Sequence, residues 1–180
     1  KADEPAPELH YLWRAARWAQ SNYQPREAYE LHVRCARHAD AEPARRVDSL
    51  HDAGACLLDK GDATTLRDGI GETVALAQEL GDAPRIGKAL LLRQQMHGAL
   101  FEVEPAEADF QCALEAFARG KQEDSLESSA LANLAGMYME VGKFEKAREL
   151  MTRSLELCRE RGDTRGEVAA FPAKFQGPRH

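Results

Sequence analysis

Apolar residues recur along this chain with the period of an α-helix. The clearest stretch lies near the C-terminal end, where Leu131, Leu134, Ala135 and Tyr138 fall at i, i+3, i+4 and i+7. That spacing puts them on one helical face. Gly142 follows where such a helix must stop, and Ala147, Met151, Ser154 and Leu155 carry a second stripe. Small Ala135 and Ala147 allow two helices to approach closely, with bulky Tyr138 and Met151 filling the space beside them. The stretch predicts an antiparallel helix pair.

The same order of residues is present further upstream. Leu50, Ala53, Gly54 and Leu57 precede Gly61, and a partner helix runs through Leu66, Ile70 and Val74 to Leu80. Leu12, Ala15, Ala16 and Ala19 precede Tyr23, with Ala28 in the helix that follows. Between the second and last copies there is room for a helix over about 84–101 and another over about 105–118. Its register is ambiguous. Starting from Leu92 aligns Gln95, Met96, Ala99 and Val103, whereas Ala106, Phe110 and Ala113 suit a register two residues earlier. Gly-Asp pairs at Gly61-Asp62, Gly81-Asp82 and Gly162-Asp163 punctuate the helices, Gly ending one and Asp capping the next. Four copies result, at about 9–43, 47–80, 84–119 and 128–161, in one domain. Residues 162–180 are read as a partial cap or truncated repeat, because Pro172 interrupts the lead-in and the tail has no helical period.

The set of a Leu, a small pair, a Tyr, a Gly and an Ala at fixed offsets over Ser128 to Arg161 resembles the tetratricopeptide repeat (TPR) family. Leu131 stands where that family usually has Trp, and the usual terminal Pro is missing. The long period, roughly 40 against a basic unit of about 34, is similar to that of kinesin light chains and of bacterial Rap-type and MalT-type regulators. The resemblance implies an all-α, right-handed superhelical solenoid of antiparallel helix pairs, each repeat burying its apolar face against a neighbour. It also implies a concave groove that binds rather than catalyses.

Composition agrees with this picture. The 180 residues are 43% hydrophobic and 30% charged, enough for a continuous core. No period-2 alternation points to strands. The net charge of −6 with interspersed signs disfavours a nucleic-acid surface. No apolar run approaches the roughly 20 residues that span a bilayer. Cys35, Cys56, Cys112 and Cys158 are widely spaced inside helical patterns and read as small core thiols of a reducing compartment, hence a cytoplasmic location. Abundant Ala and Arg are compatible with a bacterial source.

No catalytic motif is present, and no cofactor is expected. GKALLLRQ, around Lys88, has too few glycines for a phosphate loop. His32, Cys35 and His38 share a helix flank, but zinc needs a fourth ligand and a second shell, so no metal site is assigned. Site residues come from the resemblance, which places ligands beside the packing stripe of each first helix. It marks Trp13, Arg14 and Arg17 (with His10 and Gln20) in the first repeat and His51 (with Asp48 and Asp52) in the second. On the Leu92 register it marks Arg93, Gln94 and His97 in the third repeat, and it marks Asn133 (with Ser129 and Gly136) in the fourth. Arginine forks and an amide suit an extended acidic peptide or a free carboxylate.

The expectation is therefore a protein- or peptide-binding module, the regulatory or interaction part of a larger bacterial signalling protein, without nucleic-acid or membrane partners. The alternative is a dimerising sensor fused to a transcriptional or cyclic-dinucleotide output domain, and a helical-scaffold enzyme or small-molecule binder is a third. A homodimer through one end of the solenoid is a further expectation, because a truncated array leaves an apolar flank.

Overall fold

The computed structural model describes residues 7–120 and 125–162. Among these are eight α-helices: α1 (Pro7–Ser21), α2 (Pro25–Arg37), α3 (Pro43–Asp59), α4 (Ala63–Leu80), α5 (Ala83–Ala99), α6 (Val103–Gly120), α7 (Ser125–Glu140) and α8 (Phe144–Arg161). They pair as α1–α2, α3–α4, α5–α6 and α7–α8, and each pair packs on the next in a right-handed superhelical array. The partial cap expected over 162–180 lies, apart from Gly162, outside the described residues.

Local chemistry explains the helix boundaries. Pro25 and Pro43 open α2 and α3, where a missing N–H is harmless. The Asp62 carboxylate accepts from the Thr65 amide at 3.2 Å and the Asp82 carboxylate from the Arg85 amide at 3.0 Å, capping α4 and α5. Within every pair the first helix ends in the same way. The amides of Tyr23, Gly61, Phe101 and Gly142 bond back to Gln20, Leu58, Gly98 and Met139, and the following amides reach Ala19, Leu57, His97 and Tyr138. This is the Schellman arrangement, and it requires a left-handed residue. Gly61 (φ 73°) and Gly142 (φ 77°) supply it without strain, whereas Tyr23 (φ 55°) and Phe101 (φ 58°) are held there with a side chain.

These four turns give a structural register. Counting back eleven residues from each left-handed position reaches Leu12, Leu50, Leu90 and Leu131. The third repeat is therefore set by Leu90 and not by Leu92, a correction of two residues. The helical pattern alone does not choose between them, because Leu90, Leu91 and Leu92 are all buried.

One apolar core runs from Val47 and Val74 through Leu90, Phe110 and Phe117 to Leu131, Tyr138 and Leu157. Ala135 meets Met151 inside the last pair. There the Ser154 hydroxyl donates to the Ser128 carbonyl at 2.7 Å. The Tyr138 hydroxyl donates to Glu107 of α6, which Lys146 of α8 also holds, so α6, α7 and α8 are tied together.

Candidate functional site

The first helices of the pairs, α1, α3, α5 and α7, line a cleft of about 650 Å³. In the corrected register its lining is systematic. Positions five before the reference Leu contribute Arg45, Arg85 and Leu126, and positions two before it contribute Asp48, Lys88 and Ser129. Positions one after it contribute Trp13, His51 and Leu91, and five after it Arg17, Ala55 and Gln95. Val47, Asp52, Asp82, Pro84, Leu92 and Ala130 complete the walls.

Charge in the cleft is unevenly satisfied. Arg85 donates from Nε and Nη2 to the two carboxylate oxygens of Asp48, both at 2.8 Å, and from Nη1 to Asp82. The bond to Asp48 is the leading reason that the Arg85 guanidinium is held in its charged form. His51 Nδ1 lies 3.3 Å from Asp52 Oδ1. All three carboxylates of the lining thus face a basic partner. Arg17, Arg45 and Lys88 form no ion pair within 4 Å among the described residues, although Lys88 lies within electrostatic reach of Asp82. Arg17 and Arg45 instead lie against the Trp13 ring, 5.1 and 5.0 Å from its centre. Cation–π contact orients a guanidinium while leaving its N–H donors free. An indole with two arginines beside it, and a lysine further along, is a surface for an anionic group.

His32 of α2 lies fully buried within electrostatic reach of Asp52 and Arg17. Neither ring nitrogen has a hydrogen-bond partner. Burial lowers its pKa; Asp52 opposes that shift and Arg17 adds to it. Cys35 is likewise buried, and His38 points elsewhere, with its Nδ1 3.8 Å from Asp40. No group of three or more ligand-type side chains able to hold a metal occurs among the described residues.

The residues marked from sequence divide into two sets. Trp13, Arg17 and His51 line the cleft, as do Asp48, Asp52 and Ser129. Arg14 is exposed outside it, and Asn133 is exposed on α7 outside the lining. Arg93 and His97 are corrected to a different place. Arg93 forks onto Asp109 of α6 at 2.8 and 2.6 Å, and His97 lies 2.6 Å from Glu102 and 3.6 Å from Asp109. They lock α5 to α6 and are unavailable to a ligand in the cleft, and Gln94 is buried. The slip of two residues explains all three, since it turns a helix position by roughly 200°. Arg45, Arg85, Lys88 and Gln95 were missed. The register two residues earlier, already favoured by Ala106, Phe110 and Ala113, would have found Lys88 and Gln95.

Comparison with known proteins bears on the fold. No protein-family model matches the sequence, and no curated protein does. Among solved structures, a Podosopora anserina protein described as a kinesin light chain with nearly identical TPR-like repeats matches over 93% of this chain and 83% of its own, with TM-score 0.66 and 18% identity. A point variant of that protein matches over 91% and 81%, with TM-score 0.68 and 19% identity. At such identities the likeness is one of fold: the chain is a TPR-like helical-repeat solenoid. No helix among the described residues is long and apolar enough to cross a membrane.

Proposed function

We propose that this chain is a protein-interaction module whose concave cleft binds an extended acidic segment of a partner. The observation that carries the proposal is the set of three cations, Arg17, Arg45 and Lys88, that form no ion pair among the described residues while every carboxylate of the lining has a hydrogen-bonded basic partner. The protein as a whole is acidic, at −6, so this local excess is not a by-product of composition. Trp13 offers an apolar surface beside Arg17 and Arg45, and His51, Gln95 and Ser129 add hydrogen-bonding groups for a peptide backbone. On this reading the chain works by binding, as the interaction part of a larger signalling protein.

The test uses a fluorescein-labelled glutamate-rich peptide and neutral and basic peptides of equal length, followed by fluorescence anisotropy. The acidic probe is expected to bind best and to weaken as salt rises, because attraction in an open cleft is screened. Arg17→Ala, Arg45→Ala and Lys88→Ala are each expected to cost roughly 1–3 kcal/mol of binding, as for a lost charge-assisted hydrogen bond. Arg93→Ala and Arg14→Ala should leave the affinity unchanged. A failure of the cleft to prefer the acidic probe at low salt would overturn the reading.

A further inference from the structure

Arg45 and Arg85 hold the same position, five before the reference Leu, in consecutive repeats. Their surroundings differ. Arg85 forks onto Asp48, which stands two before the reference Leu of the preceding repeat. Its remaining bond goes to Asp82, eight before the reference Leu of its own repeat. At the first of these places Arg45 has His10 of α1 in place of an aspartate. At the second it has the exposed Glu42, with which it forms no ion pair. The Arg45 guanidinium lies against Trp13 instead, 5.0 Å from the ring centre. His10 stands inside α1, so the difference is one of side chain. Among the described residues, the junction of α1 with α3 lacks the carboxylate that this arginine position binds at the junction of α3 with α5.

Arg17 of α1 reaches the same ring, 5.1 Å from its centre. Each guanidinium carbon lies about 5 Å from one point, so the two lie within about 10 Å of each other. A guanidinium stacked on an indole keeps its N–H donors free at its edge. Elsewhere in the protein one fork is enough for one carboxylate. Arg85 takes both oxygens of Asp48, and Arg93 takes both oxygens of Asp109. A group that satisfies two forks at once must offer more than two oxygens and more than one charge. A phosphoryl monoester does so, with three acceptor oxygens and about two negative charges near neutral pH. With N–H···O bonds of about 2.8 Å on each side, it spans a gap of this size.

We propose that Arg17 and Arg45, presented by Trp13, form a subsite for the phosphoryl group of a phosphorylated residue in the partner segment. The proposal rests on the reading of the cleft as the site of an acidic segment, and it adds that phosphorylation of that segment raises its affinity. The phosphoryl group takes, toward Arg45, the place that Asp48 takes toward Arg85. It bridges α1 and α3 as Asp48 and Arg85 bridge α3 and α5. The same chemistry is offered by free phosphate. A peptide-borne group fits better, because the subsite opens onto a cleft where His51, Gln95 and Ser129 supply hydrogen-bonding groups for a backbone. Lys88 lies further along the cleft and takes part in holding the segment, not the phosphoryl group.

Fluorescence anisotropy with three labelled acidic peptides tests the proposal. They are identical except at one central site, which holds phosphoserine, serine or a charge-matched pair of glutamates. The phosphopeptide is expected to bind about tenfold or more tighter than the charge-matched peptide, the worth of at least one further charge-assisted hydrogen bond. Arg17→Ala and Arg45→Ala should each abolish that preference, and Arg17→Lys should weaken it, because the charge stays and the fork is lost. His10→Asp gives Arg45 the carboxylate that Arg85 already has, and should remove the preference with both arginines intact. Lys88→Ala should lower the affinity for all three peptides and keep the preference. Inorganic phosphate should displace the phosphopeptide only in large excess. Equal binding of the phosphopeptide and the charge-matched peptide would overturn the subsite and leave the acidic-segment reading standing. Binding of none of the three would overturn that reading, and the subsite with it. A preference that survives in the Arg17→Ala, Arg45→Ala double variant would place the phosphoryl group elsewhere and overturn the proposal. Displacement by an equal concentration of inorganic phosphate would also overturn it, by making free phosphate the ligand.

Discussion

Arg85 of α5 holds both carboxylate oxygens of Asp48 of α3, so a single guanidinium ties the second repeat to the third inside the cleft. The same Arg85 reaches Asp82, the residue that caps its own helix. It therefore links α3 to α5 and neutralises two of the three carboxylates that would repel an anionic ligand.

Removing it should produce two separable effects. Arg85→Ala leaves the lining with as many carboxylates, Asp48, Asp52 and Asp82, as cations, Arg17, Arg45 and Lys88. Binding of the glutamate-rich peptide should fall, and stability should fall by about 1 kcal/mol, as for a well-formed but partly exposed pair. Arg85→Lys restores charge without the fork. It should recover peptide binding more fully than stability, as read by anisotropy and by the urea midpoint. Equal recovery of both would show that the fork is not what joins the repeats.

The turns between the helices of a pair give a second test. Tyr23 and Phe101 occupy left-handed positions, are well exposed and have Gly counterparts in the other two repeats. Tyr23→Gly and Phe101→Gly should each raise stability by about 1 kcal/mol, the cost of a left-handed non-glycine residue. Gly61→Ala and Gly142→Ala should lower it by a similar amount. A lower urea midpoint for Tyr23→Gly would mean that the exposed ring contributes packing that outweighs its strain.

Two helical glycines should respond in opposite directions to alanine. A Cβ on Gly87 would lie 2.5 Å from the Phe117 ring, which is buried and has nowhere to go. Gly87→Ala should cost about 1–3 kcal/mol through overpacking. A Cβ on Gly71, inside α4, meets nothing within 4 Å. Gly71→Ala should stabilise by up to about 1 kcal/mol, because alanine gives up less backbone entropy in a helix. Thermal or urea unfolding of the two variants compares them directly, and a destabilising Gly71→Ala would contradict the open space seen there.

Acid should weaken the fold through His32. Burial lowers its pKa below the ordinary 6.5, so the folded state favours the neutral ring. The unfolded chain binds the proton more readily, and stability rises with pH wherever that holds. The contribution is therefore complete above about pH 6.5 and is lost as pH falls from there toward the lowered folded value. The melting temperature should drop between pH 7 and pH 5, and His32→Leu should remove much of that drop. A parent whose melting temperature is flat across this window would rule the mechanism out.

How much of this was written in the sequence can be judged from particular residues. The helical period and the residues that stop helices are local, and they were enough to locate four helix pairs. Gly61 and Gly142 mark the same backbone event, and Tyr23 marks it as well, although no propensity argument would choose tyrosine there. The TPR-like solenoid follows from such local signals because each repeat buries the same stripe on its neighbour.

What the sequence left open was rotation. Leu90, Leu91 and Leu92 give α5 apolar residues in succession, so more than one face of this helix satisfies the pattern. Only packing against α4, α6 and the neighbouring first helices selects Leu90 as the reference and turns Lys88 and Gln95 into the cleft. The same rotation carries Arg93 and His97 round to Asp109, where a long-range ion pair holds them. Arg45 and Arg17 reach Trp13 from different helices, a meeting that no spacing along one helix encodes. Sequence by itself determined the order of helices and turns, because hydrogen bonds between near neighbours make those signals local, although α3 begins at Pro43, ahead of the expected start at 47. Tertiary structure decided which charges remain unpaired in the cleft, because that depends on partners tens of residues away.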